Sequence, residues 1–155
     1  MEIREFQTED TIQLLPLMDQ LGYPTSFGKL ESRLSNIHSQ SNYHTLVAEL
    51  NNKIVGMVGL CHNLFYEYDS SYVRIVAFVV DTNYRRKGIG EKLMHEAEKW
   101  ATRQGATYMM LNSGNRLERK IAHKFYQDMG YESKSTGFSK QLGKQIIKDE
   151  RNLKV

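Results

Sequence analysis

The feature that most constrains this chain is a change of hydrophobic period near its centre. Residues 43–50, 53–65 and 72–80 are rich in β-branched and aromatic side chains and read as strands. From Gly88 onward, Ile89, Leu93, Ala97, Trp100 and Ala101 recur at helical spacing. Asn51-Asn52 tolerates the left-handed angles of a tight hairpin, and Ser70-Ser71 separates the second run from the third. The three strands therefore read as an antiparallel meander that leads into a long amphipathic helix.

The flanks extend this order. Residues 2–6 alternate charged and apolar side chains, as a short strand does. Thr8 or Asp10 then caps a helix carrying Ile12, Leu15, Met18 and Leu21, which Pro16 should kink or interrupt and Gly22-Tyr23-Pro24 should end. A second helix over residues 26–37 puts Phe27, Leu30, Leu34 and Ile37 on one face. Gly105 suits the position just past the long helix, and residues 106–111 form a short strand. Residues 118–129 form a helix with Ile121, Ala122, Phe125 and Met129 inward, closed by Gly130. Residues 131–142 make one or two last strands around Gly137. The expected order is β-α-α-β-β-β-α-β-α-β, an α/β (α+β) mixture.

Composition narrows the function classes. At 155 residues the chain suits one domain, residues 1–142, followed by a basic tail, residues 143–155, carrying Lys144, Lys148, Arg151 and Lys154. Hydrophobic residues at 40% and charged residues at 25% argue against a disordered or fibrous chain. No apolar run approaches the ~20 residues of a membrane span, and Met1-Glu2-Ile3-Arg4-Glu5 lacks a leader's layout, so a cytoplasmic protein is expected. Cys61 is the only cysteine, which excludes an intrachain disulfide, and the five histidines lack ligand spacing, so no metal is expected. A net charge of +3 falls short of a nucleic-acid footprint.

The segment from Val79 to Gly90 carries the chemistry. An apolar strand runs into Arg85-Arg86-Lys87-Gly88-Ile89-Gly90, and that loop opens the long helix. Helix starts have unpaired N–H groups and partial positive charge, and glycines let an oxyanion approach the backbone. A diphosphate suits such a loop; an ordinary basic turn is the alternative. The P-loop pattern fails, and the dinucleotide fingerprint lacks its third glycine where Leu93 stands.

Arg85-x-x-Gly88-x-Gly90 resembles the acetyl-CoA signature of the GNAT superfamily of N-acetyltransferases. The block Ala122-His123-Lys124-Phe125-Tyr126, ending in Gly130-Tyr131, looks like that family's second conserved stretch. The resemblance covers roughly residues 2–142 and implies the acyl-CoA N-acyltransferase fold, with a mixed central sheet whose fourth and fifth strands splay apart. It implies acetyl-CoA as donor, with its pantetheine arm against the main chain of Phe78, Val79 and Val80. The pyrophosphate would lie on Arg85, Arg86, Lys87, Gly88, Ile89, Gly90 and Glu91. Tyr126 matches the family's usual general acid, which donates a proton as the thiolate departs; packing alone is the other reading. Arg119 replaces a frequent Asn and either approaches the CoA phosphates or is a solvated charge.

The family's common acidic base on the fourth strand is missing. Glu67, with Asp69 beside it, is the nearest carboxylate and either serves the incoming amine or is a plain turn charge. His62 and His123 are further candidate bases or structural residues. The acceptor site implied lies at the first two helices, Gly22-Tyr23-Pro24 and Tyr66-Glu67-Tyr68, in a pattern similar to aminoglycoside 6′-type members. The expected activity is acetyl transfer to the primary amine of a small polar substrate by direct attack in a ternary complex. The alternatives are a peptide acetyltransferase or a non-catalytic acyl-CoA-binding module. A homodimer is possible on the family pattern.

Overall fold

Asn51 and Asn52 both take left-handed backbone angles, φ 50° and 61°, and the hairpin they close registers the sheet. It joins β2 (Tyr43–Leu50) to β3 (Lys53–Leu64), and β4 (Ser71–Val80) returns antiparallel beside β3. β1 (Glu2–Glu5) pairs antiparallel with β2, and β5 (Tyr108–Leu111) completes a five-stranded sheet in the order β1-β2-β3-β4-β5. The computed structural model describes residues 1–115 and 117–143, so most of the expected basic tail lies outside the described residues. The chain divides into two compact units, one spanning Met1–Met110 and a second beginning at Leu111.

In the first unit the sheet is covered on both faces. On one, α1 (Thr11–Leu21) and α2 (Phe27–His38) bury Leu14, Leu17, Leu30 and Leu34 against Val47, Met57 and Val79, three residues in cross-strand register. On the other lies α3 (Ile89–Arg103), whose Ile89, Leu93, Met94, Ala97, Trp100 and Ala101 are all buried. Gly56 permits this approach: a Cβ there would stand 2.9 Å from Leu93 Cδ1 and 3.3 Å from the Val79 carbonyl. α3 ends in a Schellman motif. Gly105, at φ 83°, donates to Thr102 and Ala106 donates to Ala101.

Four local expectations are corrected. Neither Thr8 nor Asp10 caps α1 with its side chain. Thr8–Asp10 is a 3-10 turn, and the Asp10 carboxylate instead accepts from the Gln7 N–H and from both terminal nitrogens of Arg4, each at 2.8 Å. Pro16 does not interrupt α1, because it sits on the exposed face, where the carbonyl it leaves unpaired reaches water. Phe27 is 42% exposed at the start of α2, whose N-cap Ser26 accepts from the Lys29 N–H. Residues 131–142 form no strand: Phe138 and Leu142 are 93% and 84% exposed, so no apolar face repays the ordering.

The second unit holds α4 (Lys120–Asp128), entered through a 3-10 turn at Leu117–Arg119. Its half-buried face comprises Ala122, Phe125, Tyr126 and Met129, while Ile121 is 76% exposed, so the stripe is rotated from the expected one. Gly130, at φ 90°, closes the helix as expected. No described helix is long and apolar enough to cross a membrane.

Candidate functional site

The connection from β4 to α3 is built around Asp81. This buried carboxylate ends the strand, accepts from the Asn83 N–H at 3.0 Å and so forms the 3-10 turn Thr82–Tyr84. Lys53 Nζ stands 3.5 Å away. Although burial opposes its charge, these donors and the ammonium hold the Asp81 carboxyl below the usual carboxylate range. Gln20, from α1, accepts from both the N–H and the hydroxyl of Thr82, at 2.8 and 2.9 Å. Tyr84 then places its ring beneath two ammonium groups, Lys53 at 4.9 Å and Lys87 at 5.2 Å.

Beyond this turn the backbone folds back on itself. Arg85, itself exposed, folds back along the chain, its Nε donating to the Val80 carbonyl at 3.1 Å. Arg86 is left-handed at φ 59° and exposed, and Gly88 is left-handed at φ 76°. Gly88 is also the N-cap of α3, with no side chain to cap the helix, so the N–H groups of Ile89, Gly90 and Glu91 lack acceptors one turn back. An added Cβ at Gly88 would meet nothing within 4 Å, so the space there is open. The arrangement is a cradle of main-chain donors with cationic side chains at its rim, a geometry that suits an anion. Arg85, Arg86, Lys87, Gly88, Ile89, Gly90 and Glu91, the residues the resemblance assigns to the pyrophosphate, lie on this one connection, which Val80 precedes.

Phe78, Val79 and Val80 occupy the last turn-proximal half of β4. β5 opens level with the start of that strand, where the Thr107 N–H donates to the Ser71 carbonyl at 2.9 Å. Four residues carry β5 about 13 Å, against roughly 33 Å for the ten of β4, so β5 reaches only the middle of its neighbour. At that middle β4 bulges. Gly59 pairs with Ala77 and Leu60 with Ile75, leaving Val76 as the extra residue, 49% exposed.

In the second unit, Tyr126 is partly buried on α4, with Phe125 and Tyr131 rings edge-on at 5.5 and 6.3 Å. Burial pushes its phenol above the usual value, and the Arg119 cation opposes this only in part. His123 Nε2 lies 2.8 Å from the Gly114 carbonyl, so that nitrogen carries the proton and ties α4 to the segment before it. His62 is likewise engaged, 2.8 Å from the Ser71 hydroxyl and edge-on to Trp100. Both histidines thus have structural partners. Glu67 is exposed in the turn between β3 and β4, flanked by Tyr66 and Tyr68, which are 104% and 65% exposed. Among the described residues no group of three or more His, Cys, Asp or Glu could hold a metal.

A family model, described as the acetyltransferase (GNAT) family, matches residues 8–131. The chain belongs to the GNAT family. It is an acetyltransferase by that membership, and relatives agree. The uncharacterized N-acetyltransferase YhdJ of Bacillus subtilis (strain 168) is 28% identical over 135 residues, 86% of this chain and 93% of that one. A GNAT family acetyltransferase of Staphylococcus aureus, solved by crystallography, is 38% identical with a TM-score of 0.79, covering 91% of this chain and 98% of the other. The aminoglycoside acetyltransferase meta-AAC0020, from an uncultured soil metagenomic sample, is 25% identical with a TM-score of 0.76 over 92% and 96% of the two chains. The five-stranded GNAT sheet accounts for the order of elements, and acetyl-CoA is the donor the family implies.

Sequence reasoning missed Gln20, Lys53 and the Val76 bulge. Asp81 had a signal, since Asp-Thr-Asn after a strand is an Asx-turn pattern. The bulge had none, because the β-branched run passes through it unbroken.

Proposed function

We propose that this GNAT enzyme transfers an acetyl group from acetyl-CoA to the primary amine of a small polar substrate within one ternary complex. The observation that carries the reading is the uncapped, glycine-opened start of α3, with Arg86 and Lys87 exposed at its rim. The residues present fit the carrier: diphosphate oxygens suit the N–H groups of Ile89, Gly90 and Glu91, and Gly88 leaves the approach open. When bound, acetyl-CoA supplies an acyl group activated as a thioester. The protein's part is to hold the diphosphate, lay the pantetheine arm along Phe78, Val79 and Val80, and keep a proton on Tyr126 Oη. The raised phenol pKa supports that last role, since the group stays protonated at neutral pH.

Glu67, exposed between two tyrosines, draws in the ammonium form of the acceptor. Arg119 sits at the start of α4 as a further cation for the carrier. The aminoglycoside acetyltransferase among the similar structures supports a small polar amine as acceptor. The family match over residues 8–131 supports reading residues 1–142 as one domain.

The test is thiol release from acetyl-CoA against polyamines, amino acids, aminoglycosides and short peptides. The proposal expects release only with a small amine, lowered in Tyr126→Phe. Turnover confined to peptides would move the acceptor class. CoA binding with no turnover over the panel would leave a binding module.

A further inference from the structure

We propose that Gln20 is the positioning residue of the phosphate loop, setting from α1 the orientation in which the loop meets its ligand. The inference rests on the reading above and adds a residue outside both sequence motifs. The side-chain amide of Gln20 bridges α1 to the turn after β4. Its oxygen uses both lone pairs on Thr82, at 2.8 Å to the N–H and 2.9 Å to the hydroxyl, and its nitrogen lies 3.5 Å from Asp81 Oδ1.

Apart from Lys53, which stands 3.5 Å from Asp81 and 4.9 Å from the Tyr84 ring, the other described partners within the turn are local. Asp81 accepts from Asn83, Tyr84 donates to the Asp81 carbonyl, and Arg85 donates to the Val80 carbonyl. Such bonds give the turn its shape, but a long-range partner is needed to fix its direction. Lys53 holds the two ends of the turn from β3, and Gln20 holds Thr82 between them from α1, by hydrogen bonds across 62 residues of chain. The turn leads directly into the left-handed Arg86 and Gly88, so a small rotation there redirects every donor of the cradle. Gln20 and Thr82 are both exposed, so their bonds add little to global stability.

The test uses Gln20→Met, which keeps the length of the side chain and removes its hydrogen bonds, with Thr82→Val and the double variant. Calorimetric titration with CoA should show a dissociation constant raised roughly 5- to 30-fold in Gln20→Met, the value of one or two lost hydrogen bonds. The midpoint of thermal unfolding should stay within about 2 °C. The kinetic loss should fall on KM for acetyl-CoA more than on kcat, and the double variant should lose less than the two single losses combined. Wild-type affinity in Gln20→Met overturns the proposal, as does a parallel fall in kcat and unfolding temperature. If the unaltered protein itself takes up no CoA, the functional reading fails along with it.

Discussion

Gly88 and Gly28 make a paired experiment in which one substitution has opposite signs. Both have open space where a Cβ would be built, with no atom within 4 Å, so steric contact with neighbours drops out. Gly88 sits at φ 76°, where a residue with a Cβ costs about 1–2 kcal/mol. Restricting the unfolded chain returns about 0.4–1 kcal/mol. Gly88→Ala should therefore destabilise by about 0.5–1.5 kcal/mol, a fall of roughly 1–6 °C in unfolding temperature for a chain of this size. Gly28 lies inside α2 on its exposed side, and Gly28→Ala should raise stability by up to about 1 kcal/mol. Scanning calorimetry measures both. Titration with CoA adds the second axis: Gly88→Ala places a methyl group in the cradle and weakens binding, whereas Gly28→Ala leaves it unchanged. Equal shifts of the same sign, or unaltered CoA affinity in Gly88→Ala, would refute the reasoning.

Three further outcomes follow from the structure. Because burial raises the Tyr126 phenol, the alkaline limb of the kcat profile should lie above pH ~10 and vanish in Tyr126→Phe; a limb below pH 9 would assign it to another group. Arg4 holds the Asp10 carboxyl below its usual range, and burial lowers the His38 and His44 imidazoles. All three groups bind fewer protons when folded, so stability should decline as pH falls below about 6.5 and more steeply below about 4. Asp10→Asn should cost about 1–3 kcal/mol at pH 7 and make the acid limb shallower in denaturant titrations, leaving the share that Asp81 contributes; an unchanged limb would contradict this. Gly56→Ala should cost about 1–3 kcal/mol, read as a lower urea midpoint, because Leu93 must shift from a 2.9 Å contact; a neutral effect would mean that α3 is not seated closely.

The long-period elements were legible because one physical term dominates each. The stripe from Ile89 to Ala101 is buried as expected, and Asn51-Asn52 forms the hairpin its chemistry favours. The glycine-opened start of α3 was legible for a similar reason, since Gly88 after a basic run marks a helix start without a side-chain cap. Elements decided by tertiary context were not. Nothing near Pro16 announces that it lies on the exposed face of α1, and residues 131–142 around Gly137 read as strand although no apolar face is buried there. Ala122, Phe125 and Met129 lie on the half-buried face of their helix as expected, but Tyr126 joins them where Ile121 was expected. Gln20 and Lys53 carry no motif. Their parts depend on contacts across 62 and 28 residues of chain, which spacing alone does not encode.

The most direct measurement is amide chemical-shift mapping of the isotopically labelled protein during addition of CoA. The account predicts that the N–H resonances of Gly88, Ile89, Gly90 and Glu91 move first and furthest, saturating with the calorimetric heat. CoA that binds while those four amides stay still, or that does not bind at all, would contradict it.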